Sequence, residues 1–283
     1  MTGFLHFGLS CDCSVVGVLH QQLRSRIKRC KLPRNTEILP YDSQTRKLNN
    51  MNDIWSLIEK GEFEKACKET DIEYERTGDT FQLNNKISAL MHLKRYENAI
   101  TLIYKIISLK KEAHPSFDLS SSSYFIRLGI AQWALDKKYE AIELWQEGES
   151  CAYQDASGGI SLFIIEYFAA VRICHKELKK NVVRKIKKKL KNKQALNWPG
   201  PLGRYLLCDI SEVEMLTCVS TTPTLRERNL CQANFAAAIK ELESGNIVEY
   251  KNRLKACIQD GALAYLEDMY YLAKAELEKL EAG

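Results

Sequence analysis

The chain reads as all-α, a right-handed superhelix of antiparallel helical hairpins. Three observations predict this. Apolar residues recur at helical spacing through most of residues 51–283. A helix end, a Gly or Lys turn, an aromatic and an Ala recur in that order three times. No stretch carries the β-branched alternation of a strand pair.

Ile54, Leu57 and Ile58 give the first apolar stripe. It runs into Leu57–Ile58–Glu59–Lys60–Gly61–Glu62–Phe63–Glu64–Lys65–Ala66, the first elbow. Leu83, Ile87, Leu90 and Met91 make the next stripe, followed by Leu93–Lys94–Arg95–Tyr96–Glu97–Asn98–Ala99. Ile100, Ile103, Ile106 and Ile107 then line a helix that Leu102, Tyr104 and Leu109 make apolar over a wider arc, which predicts contact on two sides. Asp118 or one of Ser120 to Ser123 is the expected N-cap of the helix through Trp133. The third elbow is Leu135–Asp136–Lys137–Lys138–Tyr139–Glu140–Ala141. In each elbow the ring is expected to fill the corner, and the Ala lets the second helix lie close against the first.

Gly158–Gly159 breaks the chain. Ile160 to Cys174 is an apolar helix that needs cover on most of its surface, and Lys176 to Asn192 is its basic partner. Pro201 suits the first turn of a helix through Leu207, and Ser211 with Glu214 has capping-box spacing. Leu242–Glu243–Ser244–Gly245–Asn246–Ile247 is a fourth candidate elbow. There Tyr250 stands in place of Ala, which opposes close helix packing. The last helix runs from about Leu263 to Leu280, and its charged end, Lys274 to Glu281, suits a solvent-facing cap. The expected divisions are clearer repeats at 51–159, an irregular helical middle at 160–223 and C-terminal helices at 224–283.

The elbows resemble the tetratricopeptide repeat, 34 residues of helix–turn–helix with a W-x2-L-G-x2-Y…A core. The third unit matches best. Leu128–Gly129 precedes Ala141 as the family's Leu-Gly precedes its second-helix Ala, and Trp145 and Gly148 continue that helix. The second unit keeps Tyr96, Ala99 and Ile103, and the first keeps Gly61, Phe63 and Ala66. Ala66 and Ala99 lie 33 residues apart, near the family period. Ala99 and Ala141 lie 42 apart, with a loop's worth inserted. The likeness covers about Met51 to Gly159, and more loosely Leu225 to Asp260.

Residues 1–50 differ from the rest. They hold eight Lys/Arg against three Asp/Glu, whereas 51–283 holds 33 of each sign. The net charge of +5 therefore belongs to this extension, and the body carries no global bias toward nucleic acid or membrane. We read 1–50 as a disordered or non-native extension, with Met51 as the functional start. Cys11, Asp12, Cys13, His20 and Cys30 match no standard zinc spacing. The body's seven cysteines sit singly at helical positions, as in a reducing compartment, so a cytoplasmic location is expected. No apolar run is long enough to span a membrane.

No residue pattern supports an enzyme. The five His are isolated, with no HExxH, nucleophile elbow, Walker loop or GxGxxG. No catalytic residue, metal or cofactor is expected. The resemblance implies instead a non-catalytic scaffold or adaptor that holds a protein or peptide on the concave face formed by the first helices of each pair. That face would include Asn84, Asn85 and Ser88 of the second unit and Tyr124, Arg127 and Gln132 of the third. Tyr153 and Asp155, in the loop leaving the third unit, are a further candidate contact. An immunity-type inhibitor of a toxin is a narrower form of the same reading. The alternative is a nucleic-acid-associated regulator acting through 176–193, which holds ten Lys/Arg and one acid. Its basic patch would be Lys180, Arg184, Lys187, Lys188 and Lys191. No reading helix, aromatic platform or RNA motif accompanies it. The plain reading of the same patch is a solvated face whose charge balances the acidic repeats around it.

Overall fold

Six helix ends close in one way, and that shared geometry builds the fold. At each, a residue turns into the left-handed region: Gly61, Lys94, Asp136, Cys174, Cys208 and Gly245, with φ between 55 and 80°. The next N–H reaches back to a carbonyl five residues upstream. The pairs are Glu62 to Leu57 at 2.8 Å, Arg95 to Leu90 at 2.9 Å, Lys137 to Gln132 at 2.9 Å, His175 to Ala170 at 2.8 Å, Asp209 to Arg204 at 2.9 Å and Asn246 to Glu241 at 2.9 Å. This is the Schellman closure, which satisfies the orphan carbonyls of an ending helix and reverses the chain. Two of the six, at Cys174 and Cys208, carry no Gly or Lys signal and were not visible as elbows in the sequence. A non-Gly residue there is uncommon, and the tertiary packing that follows holds it in place.

The computed structural model describes residues 54–116, 118, 120–259 and 266–282. The expectations for 1–50, Met51 and the N-terminal cysteines lie outside the described residues. Helix α1 is described over 54–59. The others are α2 Phe63–Thr77, α3 Phe81–His92, α4 Tyr96–Ala113, α5 Ser122–Ala134, α6 Lys138–Gly148, α7 Ile160–Arg172 and α8 Lys176–Lys189. A 3-10 turn, Lys193–Leu196, leads to α9 Gly200–Leu206, α10 Glu212–Thr217, α11 Pro223–Ser244, α12 Ile247–Gln259 and α13 Asp268–Ala282. Sequential neighbours pack from α2 through α8, and α11 pairs with α12. The fold is all-α, a stack of antiparallel helical hairpins. Within the described residues the only β pairing is a single parallel bridge between Ser121 and Tyr153.

Ala66, Ala99 and Ala141 are fully buried, as close helix packing requires. Each also donates its N–H to the last residue of the elbow, Glu62, Arg95 or Lys137, so the second helix starts at a fixed angle. The ring expectation needs correction at one site. Phe63 stacks on His92 with centroids 4.3 Å apart, but Tyr139 is 70% exposed and fills no corner. In that unit Trp145 does the filling. Its Nε1 donates to the Ile126 carbonyl at 3.1 Å, and its indole lies where a Cβ on Gly129 would stand, 2.1 Å from that position. The Leu-Gly pair is thus a slot in α5 cut for a tryptophan on α6.

The fourth elbow also differs from expectation. Tyr250 is fully buried, and α11 and α12 make the most extensive helix pair. The long side chain does not hold the helices apart because it runs past the junction to reach α13, where its hydroxyl meets Glu276.

The largest departure is α13. It was expected to be a solvent-facing cap. Instead Met269, Tyr271, Leu272, Ala273, Ala275, Glu276 and Leu277 are all buried. The helix returns across the stack to pack on α5, α11 and α12, and its Tyr270 and Tyr271 rings meet His92 of α3. Its charges turn inward with it: Lys94 reaches Glu278 at 3.0 Å, and Lys279 Nζ donates to the Trp133 carbonyl at 2.6 Å.

Candidate functional site

The return of α13 decides what becomes of the expected concave face. Arg127 Nε donates to Asp268 Oδ1 at 2.9 Å, and its side chain is mostly covered. Ser88 is buried beside the Tyr271 hydroxyl, and Tyr124 is buried with Lys110 Nζ 5.0 Å from its ring centroid. Gln132 is half-buried. Asn84 and Asn85 keep partial exposure, but their amides are engaged locally, with the Phe81 carbonyl at 3.1 Å and Gln82 Oε1 at 3.3 Å. Arg127 and Ser88 thus meet α13, and Tyr124 meets Lys110 of α4, so all three are engaged within the chain.

Glu276 anchors that arrangement. It is fully buried, and its carboxylate accepts from Trp133 Nε1 at 2.6 Å, Arg172 Nε at 2.7 Å and the Tyr250 hydroxyl at 3.3 Å. One side chain therefore ties α13 to α5, α7 and α12. His92 completes the closed side. Burial, with the charge of Lys274 added, lowers its pKa to about 4, so it sits neutral among Phe63, Tyr270 and Tyr271.

The Tyr153–Asp155 loop is also committed internally. Asp155 Oδ1 accepts from Ser157 N at 2.9 Å, Ser157 Oγ at 2.7 Å and Gly159 N at 2.9 Å, and Oδ2 accepts from Ser161 N at 2.7 Å. The carboxylate caps the start of α7 by accepting from the Gly159 and Ser161 amides. Tyr153 pairs its backbone with Ser120 and Ser122 and leaves its ring exposed. Asp155→Ala should lower stability by about 1–2 kcal/mol, a drop of roughly 4 °C in melting temperature, with partner capture unchanged. Loss of capture without loss of stability would return Asp155 to the binding surface.

Helix α8 has two faces with opposite fates. Leu178, Val182 and Ile186 are buried against the body. The lysines on the flanks of that face are engaged within the chain. Lys179 pairs with Glu243 and lies over the Tyr167 ring; Lys185 pairs with Glu149 and, at 3.0 Å, with Glu166; Lys189 Nζ donates to the Gly158 carbonyl at 2.6 Å. The outer face is Lys180, Arg184, Lys187, Lys188 and Lys191, joined by Lys176, all exposed. Among the described residues none of these six lies within ion-pair distance of an acid, and Arg184 finds only the Asn181 side chain. The balancing acids of the plain reading are spent on the inner lysines. Lys176 and Lys180, Lys180 and Arg184, and Arg184 and Lys188 stand four apart on the helix, an arrangement that costs an isolated helix a few tenths of a kcal/mol per pair. Lys176 and Lys180 also sit near the positive end of the helix dipole.

Glu166 beneath α8 gives a pH dependence. Burial raises its pKa to about 8, with Glu149's charge adding and Lys185 opposing. A carboxyl raised from its ordinary 4.5 contributes stability that is full below that value and is lost as pH rises through about 8. Unfolding free energy should therefore fall between about pH 5 and pH 8, and Glu166→Gln should flatten that fall. Urea melts at three pH values check it; an unchanged slope in the variant would contradict it.

Among the described residues no three His, Cys, Asp or Glu side chains converge to hold a metal ion, and no helix is long and apolar enough to cross a membrane. His175, near α8, uses its Nδ1 to accept from Leu178 N at 3.1 Å and so caps that helix.

Comparison with known proteins yields little. No family model matches the chain, and no curated protein is significantly similar to it. Among solved structures the chain is similar to the TPR2AB-domain:pHSP90 complex of yeast Sti1, at 16% identity and a TM-score of 0.36, over 82% of this chain and 99% of that one.

Proposed function

We propose that the protein is a non-catalytic scaffold that binds another protein or a peptide. One observation carries the reading: the same Schellman-closed elbow is built six times, and stacking the helices it joins yields a rigid body of long helix faces. Such stacks bury each unit on its neighbours and leave their outer surfaces for recognition. The buried polar side chains described above serve the same frame. Glu276, Arg127 and Asp155 each hold one helix to another or start one, and none faces a reacting group.

The concave face does not supply the contact in this reading. Releasing α13 exposes Met269, Tyr271, Leu272 and Leu277, at about 2 kcal/mol each and so roughly 8 kcal/mol together. That is about the whole binding free energy of a micromolar peptide. A partner therefore docks on outer surfaces while α13 stays in place.

The test is capture by the full-length chain, identification of what is retained, and titration of the purified partner by calorimetry. A saturable complex with a fixed stoichiometry supports a scaffold. Retention of no protein, together with turnover of a small molecule, overturns it. A toxin target is the narrower form: co-expression would then restore growth to cells making the captured toxin, and unchanged growth would exclude that form alone.

A further inference from the structure

We infer that the outer face of α8 is a docking ridge for an acidic segment of a partner protein. This rests on the scaffold reading and names its contact surface. Lys176, Lys180, Arg184, Lys187 and Lys191 fall on one stripe, with Lys188 beside it. Within α8 the stripe runs eleven residue steps, from Lys176 to Lys187, about 16 Å, and Lys191 follows in the turn after the helix.

Three features select the occupant. The first is charge. The body is neutral as a whole, and the acids of the neighbouring helices, Glu149, Glu166 and Glu243, meet the lysines on the inner flanks of α8, while the six outer cations share residues 176–191 with one acid, Glu177. A stripe of like charges at four-residue spacing, two of them at the positive end of the helix dipole, is a departure from local stability, and such departures mark function. The second is what lies between the charges. Val183 is half-buried in a shallow depression of about 420 Å³ lined by Lys176, Lys179, Lys180, Arg184 and Lys187. An apolar floor with cations on both sides takes a segment that alternates carboxylates with aliphatic side chains. The third is the apolar side of α8. Leu178, Val182 and Ile186 are buried in the body, so α8 has no greasy face to lay into a bilayer. The depression offers Val183 to an aliphatic side chain, and no aromatic ring lines it on which a base could stack. An acidic peptide is therefore favoured over nucleic acid and over an anionic membrane.

The test uses the full-length chain and three probes in fluorescence anisotropy or co-sedimentation. They are a 20-residue peptide with Glu at every fourth position and Leu and Ala between, a 20-nucleotide single-stranded DNA, and vesicles containing phosphatidylserine. The peptide should bind saturably and at least tenfold more tightly than a peptide of equal charge without Leu. Binding should weaken about tenfold or more between 50 and 300 mM salt, because the contacts are exposed charges. The variant K180E/R184E/K187E should lose binding at least tenfold with its melting temperature unchanged, since all three side chains are exposed. If that variant misfolds, K180Q/R184Q/K187Q reads the same loss. Equal binding by wild type and variant overturns the ridge, as does tighter binding of the DNA or the vesicles. The two readings fail separately. A partner captured equally by wild type and by the charge-reversed chain sinks the ridge and leaves the scaffold; retention of no protein by either sinks the scaffold itself.

Discussion

Glu276→Ala should cost the protein about 3–5 kcal/mol, because the change leaves two buried donors and the partly covered Arg172 without an acceptor. Arg172 keeps its charge in a partly covered site, while Trp133 Nε1 and the Tyr250 hydroxyl lose the carboxylate they share. Removing one partner of a buried, hydrogen-bonded ion pair is destabilising on that scale. For a chain of this size the melting temperature should drop by about 10 °C. Glu276→Gln should cost less, because the amide keeps an oxygen for the indole and loses mainly the charge that Arg172 requires. The consequence is local as well as global. α13 should loosen from α5 first, and its amides together with those of α5 should exchange faster with solvent than those of α2 and α8. Thermal melts and hydrogen exchange read both effects. A variant with wild-type stability would mean that α13 is seated by its apolar face alone.

Gly129→Ala should be nearly as damaging, at about 3 kcal/mol. Its Cβ would stand 2.1 Å from Nε1 and 2.5 Å from Cε2 of Trp145, a rigid ring that is itself fully buried. The indole has to swing away, which breaks its bond to the Ile126 carbonyl and disturbs Trp133, whose ring centroid lies 5.7 Å off. Overpacking and a lost hydrogen bond add to that figure, although Ala is otherwise the better helix former. A blue or red shift in tryptophan emission should accompany the loss. Gly129→Ala at wild-type stability would show that the slot relaxes freely and that the Leu-Gly signal has another cause.

These two positions mark the limits of what the sequence discloses. Gly129 belongs to a local pattern. The Leu128–Gly129, Tyr96–Ala99 and Gly61–Ala66 spacings all report short-range geometry, which is why three elbows and the α7–α8 pair were legible before any coordinates. The capping box was legible for the same reason: Ser211 Oγ accepts from Glu214 N at 3.2 Å, and the Glu214 carboxylate accepts from Ser211 N at 2.7 Å. Glu276 belongs to a contact 143 residues long, with Trp133. Nothing near Lys274–Glu281 announces that the helix folds inward, since a stripe of Met269, Leu272, Ala273 and Leu277 serves a cap or a core equally well. The expected groove failed for this reason. The helix that meets Arg127 and Ser88 comes from the far end of the chain. The elbows at Cys174 and Cys208 were missed because their left-handed residues are not glycine. Asp155 carried a readable signal that went unused: an acid followed by Ser157, Gly159 and Ser161 before an apolar run is what an N-terminal cap looks like.

The charge on α8 was visible from the start, but its partition was not. Only the coordinates show Lys179, Lys185 and Lys189 turned toward Glu243, Glu149 and the Gly158 carbonyl, with the other cations left outward.

Hydrogen exchange on the full-length chain, free and bound to its captured protein partner, separates an outer ridge from a displaced helix in one experiment. New protection should fall on residues 176–191, with α5 and α13 exchanging as they do in the free chain. Protection over Asn84–Ser88 and Tyr124–Gln132, with faster exchange in Asp268–Ala282, would instead mean that the partner evicts α13 and takes the groove.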